Sequence, residues 1–310
     1  MMYFAIDLPD PAVPAQIAQQ LQALCAEAAV ANGGQPLHFL ALLDGACDEE
    51  FFTKRYPSRL RRQSLYAYTS LQNFKSAAPH LMAAPSTSSE QAEWLQRLFS
   101  LCAGKPMLSI IASTLDIDQL EQHLRPYLIA ITPDTVEWPV RWADSRTLPA
   151  LLAALTETQS AHLLSPIYHW WSLQRDGSLI SWQGEAQPSP VPAEFDKFPL
   201  GDAAFAALVD SAEADAILAN LHDVQPDLFH SGTPAQCHAR VARHLLVANA
   251  SGIEAAGQRQ HFSALALMLA DDFTLHPAMA SLLRRTRQGA NYLSELDTLP
   301  DDFWQARSAA

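Results

Sequence analysis

The feature that most constrains this chain is the hexapeptide Arg141-Trp142-Ala143-Asp144-Ser145-Arg146. Two guanidinium groups that cannot be discharged flank one carboxylate, with an indole beside the first. Burying such a cluster is costly unless its charges are paired and hydrogen-bonded. The block is therefore either the structural lock of a lobe or the rim of a binding surface. It follows an apolar run through Val136 and Val140 and opens a predicted helix through Leu151, Leu152 and Leu155.

Upstream, the pattern alternates between helices and strands. Ile17, Leu21 and Leu24 recur at helical spacing, and that helix is expected to end near Asn32-Gly33-Gly34. The continuous apolar run His38–Leu43 stops at Asp44-Gly45, as a covered strand entering a loop does. Residues 1–8, 64–69, 107–112, 136–143, 167–173 and 179–182 also read as strands, with Pro79–Met82 as a further short segment. Pro139 places its strand at an edge or a bulge. Helices are predicted at 91–102, 116–125 (capped by Ser113 or Thr114) and 148–155. Arg175-Asp176-Gly177-Ser178 reads as a hairpin turn. Alternation along 168–171 sends Tyr168 and Trp170 to one face, and His169 and Trp171 to the other.

Gln187–Pro192 is proline-rich and reads as a linker. Beyond it strand-like runs disappear. One helix runs through Phe205, Leu208, Ile217 and Leu221, with a break near Asp210-Ser211. Others follow at 235–248, 261–269, 277–287 and 292–304. The expected fold class is a mixed α/β (α+β) lobe over residues 1–187 and an all-helical lobe over 193–310.

Charge and composition narrow the function. A net charge of −13 argues against general nucleic-acid binding. No apolar run is long enough to span a membrane. Met1–Asp7 lacks the basic start of a signal peptide. Cys25, Cys47, Cys102 and Cys237 are scattered, as reduced thiols of a cytoplasmic protein are.

No nucleophile elbow, phosphate loop, zinc-protease pair or dinucleotide fingerprint occurs. Gly33-Gly34 and Gly104-Lys105-Pro106 read as turns. His230, Cys237, His238 and His244 form the densest metal-like group, but His238 and His244 fall on different helical faces. His162 and His169 have no nucleophile nearby in sequence. No cofactor and no metal are expected. Asp44 and Asp144 are a conceivable hydrolytic carboxylate pair, although arginine neighbours favour ionisation, the wrong direction for a general acid.

Two stretches suggest partner contacts. Lys54, Arg55, Arg59, Arg61 and Arg62 form a local basic run on an acidic chain, either a solvated face or a patch that steers a complementary partner. The aromatics Tyr168, Trp170, Trp171 and Trp182 must feed a core on one face and be covered by another lobe or a partner on the other. Trp171, Trp182 and Phe205 are the candidates for such contacts, and Arg141, Asp144 and Arg146 for the structural lock.

The order of these segments resembles a known family, the effector-loading adaptors or chaperones of the bacterial type VI secretion system, which carry the "domain of unknown function 4123". The resemblance rests on Leu43-Asp44-Gly45-Ala46, Leu65-Tyr66, Pro79-His80-Leu81 and His123-Leu124-Arg125, then on the Arg141–Arg146 block followed by Leu148. Ser165-Pro166, Trp170-Trp171 and Trp182 complete it, so that it covers residues 37–183. Two positions depart from the pattern: Ser145, often proline in the family, and Ser165, often glycine. The resemblance implies a cytoplasmic, non-enzymatic adaptor that binds a secreted toxic effector and helps place it on the spike protein, with the helical lobe choosing the cargo. A hydrolase using Asp44 and Asp144, and a general protein-binding or immunity-like module, stand as alternatives. Cargo identity and oligomeric state are left open by the sequence.

Overall fold

The computed structural model describes residues 2–31, 36–56 and 60–305. The predicted helix end at Asn32-Gly33-Gly34 and the basic residue Arg59 lie outside the described residues. Contacts group the chain into two compact units: Leu8–Ser211, and Ala212–Ala310 together with Met1–Asp7. The proline-rich stretch expected to be the linker lies inside the first of these. The division falls instead within a long helix, where Asp210 and Ser211 cause no break.

In chain order the first unit contains α1 (Val13–Ala31), β1 (His38–Asp44), β2 (Arg62–Ser64), β3 (Pro79–Ala83), α2 (Ser88–Leu101) and β4 (Leu108–Ser113). There follow α3 (Ile117–Leu124), β5 (Ile129–Ile131), β6 (Glu137–Pro139), α4 (Leu148–Ala154), α5 (Glu157–Leu164), β7 (Ile167–Leu173), β8 (Leu179–Gln183) and β9 (Phe198–Pro199). Helix α6 (Asp202–Val224) leads into the second unit.

Strands β2-β3-β1-β4-β7-β8 form an antiparallel sheet in that order. Its registers line up Ala83, Leu40, Ile111, Trp170 and Trp182 in one cross-strand row, and Met82, Ala41, Ile110, Trp171 and Ser181 in the next. Successive residues point to opposite faces, so these rows belong to opposite sides of the sheet. The first row joins a core with Leu120 and Leu124 of α3, Leu148 and Leu151 of α4, and Trp142. The second row is buried from Met82 to Trp171 and exposed only at Ser181 on the edge strand: Trp171 is 1% exposed, and its Nε1 donates to Gln20 Oε1 of α1 at 2.6 Å. A sheet covered on both faces explains why β1 is apolar without alternation.

A smaller sheet has the order β6-β5-β9, antiparallel on one side of β5 and parallel on the other. The strand expected over 136–143 shrinks to Glu137–Pro139 at its edge, where proline's missing N–H costs no ladder bond. The two-residue β9 also corrects the expectation that no strand follows Pro192.

Helix starts follow local chemistry. Thr87 caps α2, Asp116 builds a capping box with Gln119 on α3, and Thr156 does so with Gln159 on α5. The cap of α3 is thus Asp116 rather than Ser113 or Thr114; the Ser113 hydroxyl is engaged by the Pro166 carbonyl at 2.9 Å. At the β7–β8 turn Gly177 has φ +79°, and a side chain there would strike the Leu8 carbonyl oxygen.

The second unit is helical: the end of α6, α7 (Pro234–Ala250), α8 (Ala256–Met268), α9 (Pro277–Arg287), α10 (Tyr292–Leu296) and α11 (Asp301–Gln305). The single helix predicted over 292–304 is split before Pro300. Residues 2–8 are not a strand; Ala5 is buried with Leu218, Val241 and Leu267, and Tyr3 packs on Phe229. Among the described residues no helix is long and apolar enough to cross a membrane.

Candidate functional site

The charged hexapeptide lies at the end of β1, where the two longest-range motifs in the sequence meet. The loop between α2 and β4 joins them: the Asp44 amide donates to the Met107 carbonyl at 2.9 Å, and the Ser145 amide to the Pro106 carbonyl at 3.1 Å. Proline at position 145, frequent in the resembling family, would lack that second donor. Trp142 anchors the block from below. It is 1% exposed, its Nε1 donates to the Tyr127 carbonyl at 2.7 Å, and its ring meets Trp170 in the core.

Asp144 is fully buried. Its Oδ1 accepts from the Arg146 amide at 3.0 Å, and Arg146 Nη2 reaches Oδ2 at 2.8 Å. Arg141 Nη1 stands 3.3 Å from the same Oδ2. The structure thus brings Arg141, Asp144 and Arg146 together. A fourth member, absent from the hexapeptide, joins them: Arg141 also holds Asp44, with Nε at 2.9 Å and Nη2 at 2.8 Å from Oδ2. Two arginines beside a single acid were the available signal, since a buried cluster of that composition needs a second anion.

The Leu-Asp-Gly-Ala motif now has a physical reading at each position. Leu43 is buried, Asp44 accepts from Arg141, and the Ala46 amide donates to Asp44 Oδ1 at 2.9 Å. A side chain at Gly45 would sit 2.5 Å from the Ala78 carbonyl oxygen, so only glycine lets these backbones approach.

Burial pushes the Asp44 carboxyl above its ordinary range; Arg141 and the Ala46 amide oppose the rise, and Asp144 adds to it. Burial alone would weaken the charge on Arg141, but Asp44 and then Asp144 hold it well above the usual value. Burial, helped by Asp44, pushes the Cys47 thiol up to about 12, so it is a neutral thiol near pH 7. Asp44, Cys47 and Asp144 offer ligand atoms within 4.8 Å of one another, a spacing that a metal ion could use. Arg141 already stands among all three, with Nη2 3.3 Å from the Cys47 sulfur. The guanidinium supplies the positive charge that these carboxylates need.

The basic run is largely neutralised by its surroundings. Lys54 pairs with Glu50, Arg55 with Asp48 and Arg61 with Asp118. Arg62 lies over the Phe52 ring at 4.4 Å. The aromatic candidates divide. Trp171, expected to be available to a partner, is instead sealed between the sheet and α1, because the second face of the sheet is covered by the chain itself. Trp182 and Phe205 are half-buried against the core of the first unit, and Phe205 packs on the exposed Trp138 at 5.2 Å.

The histidine and cysteine candidates do not converge. His244 is buried on Phe273, His230 is exposed beside Asp227, and Cys237 is buried in the helical core. His162 meets Tyr127, 2.9 Å from Nδ1 to the hydroxyl, and His169 stacks on Trp171.

No curated protein and no solved structure matches this chain. Residues 40–162, which run from β1 through the Arg141–Arg146 block to α5, match the family described as "Domain of unknown function (DUF4123)". All four residues of the lock, Asp44, Arg141, Asp144 and Arg146, fall within that span.

Proposed function

We propose that this protein is a non-enzymatic, cytoplasmic adaptor that binds a type VI secretion effector and helps load it onto the spike protein. The match to the DUF4123 family carries this reading, since its span contains the motifs from Leu43-Asp44-Gly45-Ala46 to the Arg141–Arg146 block by which the chain resembles effector-loading adaptors. The chemistry of the lock supports it. Asp144 is bound to arginines, Asp44 to Arg141 and the Ala46 amide, and Cys47 is a neutral thiol, so the most reactive-looking cluster in the first unit is occupied in holding its own shape.

One observation favours a hydrolytic reading: two neighbouring carboxylates, one of them raised by burial. A general acid, however, has to face substrate, whereas Asp144 is fully buried between guanidinium groups. Pull-down of the tagged full chain from its native cell tests the adaptor reading. Co-purification of a toxin and a spike protein is the expected result; recovery of neither overturns it. Turnover of a small substrate, abolished by Asp44→Asn in a folded variant, would install the hydrolase reading instead.

A further inference from the structure

Most cations of the first unit have a carboxylate partner, as expected on a chain of net charge −13. Arg62 and Lys75 differ. Neither forms an ion pair with any described residue, and both line one cleft of about 600 Å³ beside β2 and β3. The Phe52 ring holds the guanidinium of Arg62 by its face, 4.4 Å from the centroid, which leaves the in-plane N–H donors uncommitted. The same ring meets His80 at 4.4 Å and forms an apolar wall. Ser64, Gln72 and Ser76 add hydroxyl and amide groups whose side chains bond no other described residue. Desolvation beside the Phe52 ring lowers the Arg62 guanidinium from its ordinary value while leaving it charged near pH 7.

We propose that this cleft binds a carboxylate on a short segment of a partner protein, an aspartate or glutamate next to an apolar residue, with Arg62 and Lys75 taking the charge and the Phe52–His80 wall taking the apolar neighbour. The proposal rests on the protein-binding function above and names the chemistry of the bound segment. Three features select a peptide carboxylate over a free phosphate. The wall beside the cations is apolar. Glu49 also lines the cleft and repels a multiply charged anion. The overall negative charge repels broadly acidic partners, so the recognised acid must be local.

The test uses the full chain and a fluorescein-labelled, C-terminally amidated peptide with a single glutamate next to a leucine in an otherwise uncharged glycine-serine sequence, compared by fluorescence anisotropy with its glutamine counterpart. The glutamate peptide is expected to bind about tenfold more tightly, a difference of the size that charge-assisted hydrogen bonds give. The double variant Arg62→Ala/Lys75→Ala should erase that difference, and Glu49→Gln should tighten binding. All three residues are exposed, so the variants should keep the wild-type melting temperature. Equal binding of both peptides, a preference that survives the double variant, or full displacement by stoichiometric inorganic phosphate overturns the proposal. If wild type ignores the peptide yet still captures effector and spike, the cleft assignment fails and the adaptor function stands. If the peptide binds at the cleft while the native pull-down yields neither partner, the reverse holds.

Discussion

The two compact units each bury a charged cluster, but they turn it in opposite directions. In the first, the carboxylates are inside and the cation reaches outward: the side chains of Asp44 and Asp144 are 2% and 0% exposed, that of Arg141 38%. In the helical unit the cation is inside. Arg259 is 11% exposed and its partner Glu213 30%. Arg259 also donates to the Asn249 side chain and to the Ile253 carbonyl at 3.0 Å, so neutral oxygens share its charge. A buried ion pair is vulnerable chiefly through the charge left behind when its partner goes. The comparison therefore predicts which residue each unit can least spare: the outer arginine in one, and the outer glutamate, more mildly, in the other.

Arg141→Met should have the largest effect. It leaves the buried Asp44 without its cation, beside an Asp144 that Arg146 still holds, and is expected to cost about 3–5 kcal/mol in chemical denaturation. Its pH dependence is distinctive. Asp44 is already raised by burial, and losing Arg141 removes the chief influence holding it down. A carboxyl with a raised folded pKa binds its proton more readily folded than unfolded. The variant should therefore regain stability as pH falls toward the ordinary carboxylate range and lose it as pH rises. A variant equally destabilised at pH 5 and pH 8 would mean that Arg141 acts through packing alone.

Asp144→Asn follows, at about 3 kcal/mol. The isosteric amide keeps the shape but leaves Arg146 without its carboxylate, while Arg141 retains Asp44. An unchanged melting temperature together with unchanged cargo binding would dismiss the lock. Glu213→Gln should cost less, about 1–3 kcal/mol, because Arg259 retains its two neutral acceptors. A loss as large as that of Arg141→Met would erase the contrast between the units.

These clusters also show what the sequence could disclose. The Arg141–Arg146 block announced itself because opposite charges within one turn have a local reason to pair. Asp44 lies 97 residues from Arg141 in the chain, and their hydrogen bond is decided by the loop at Pro106-Met107, which no periodicity reports. Strands β1 and β7 were legible from unbroken or aromatic apolar runs, whereas β9, two residues long, carried no pattern at all. Trp171 was misjudged for a similar reason. Alternation gave its face correctly, but what covers that face is α1, remote in sequence. The basic run misled because Asp118, the partner of Arg61, lies on α3, well downstream.

The smallest effect is expected at the N-terminus and concerns where the helical unit begins. Asp7 caps α7 from a distance: its Oδ1 accepts from the Ala235 amide at 3.0 Å, and its Oδ2 from the Thr233 hydroxyl at 2.7 Å. Thr233 already forms a capping box with Gln236 on that helix, so Asp7 satisfies a remaining first-turn amide and places a negative charge at the positive end of the helix. Asp7→Ala should cost about 1 kcal/mol, the usual value of a lost cap. Asp7→Asn, which keeps an acceptor and loses the charge, should recover part of it, and the gap between the two should shrink in high salt. Equal losses for both variants at every ionic strength would assign the stabilisation to charge-independent packing of residues 2–7, such as the burial of Ala5 beside Leu218, rather than to the cap.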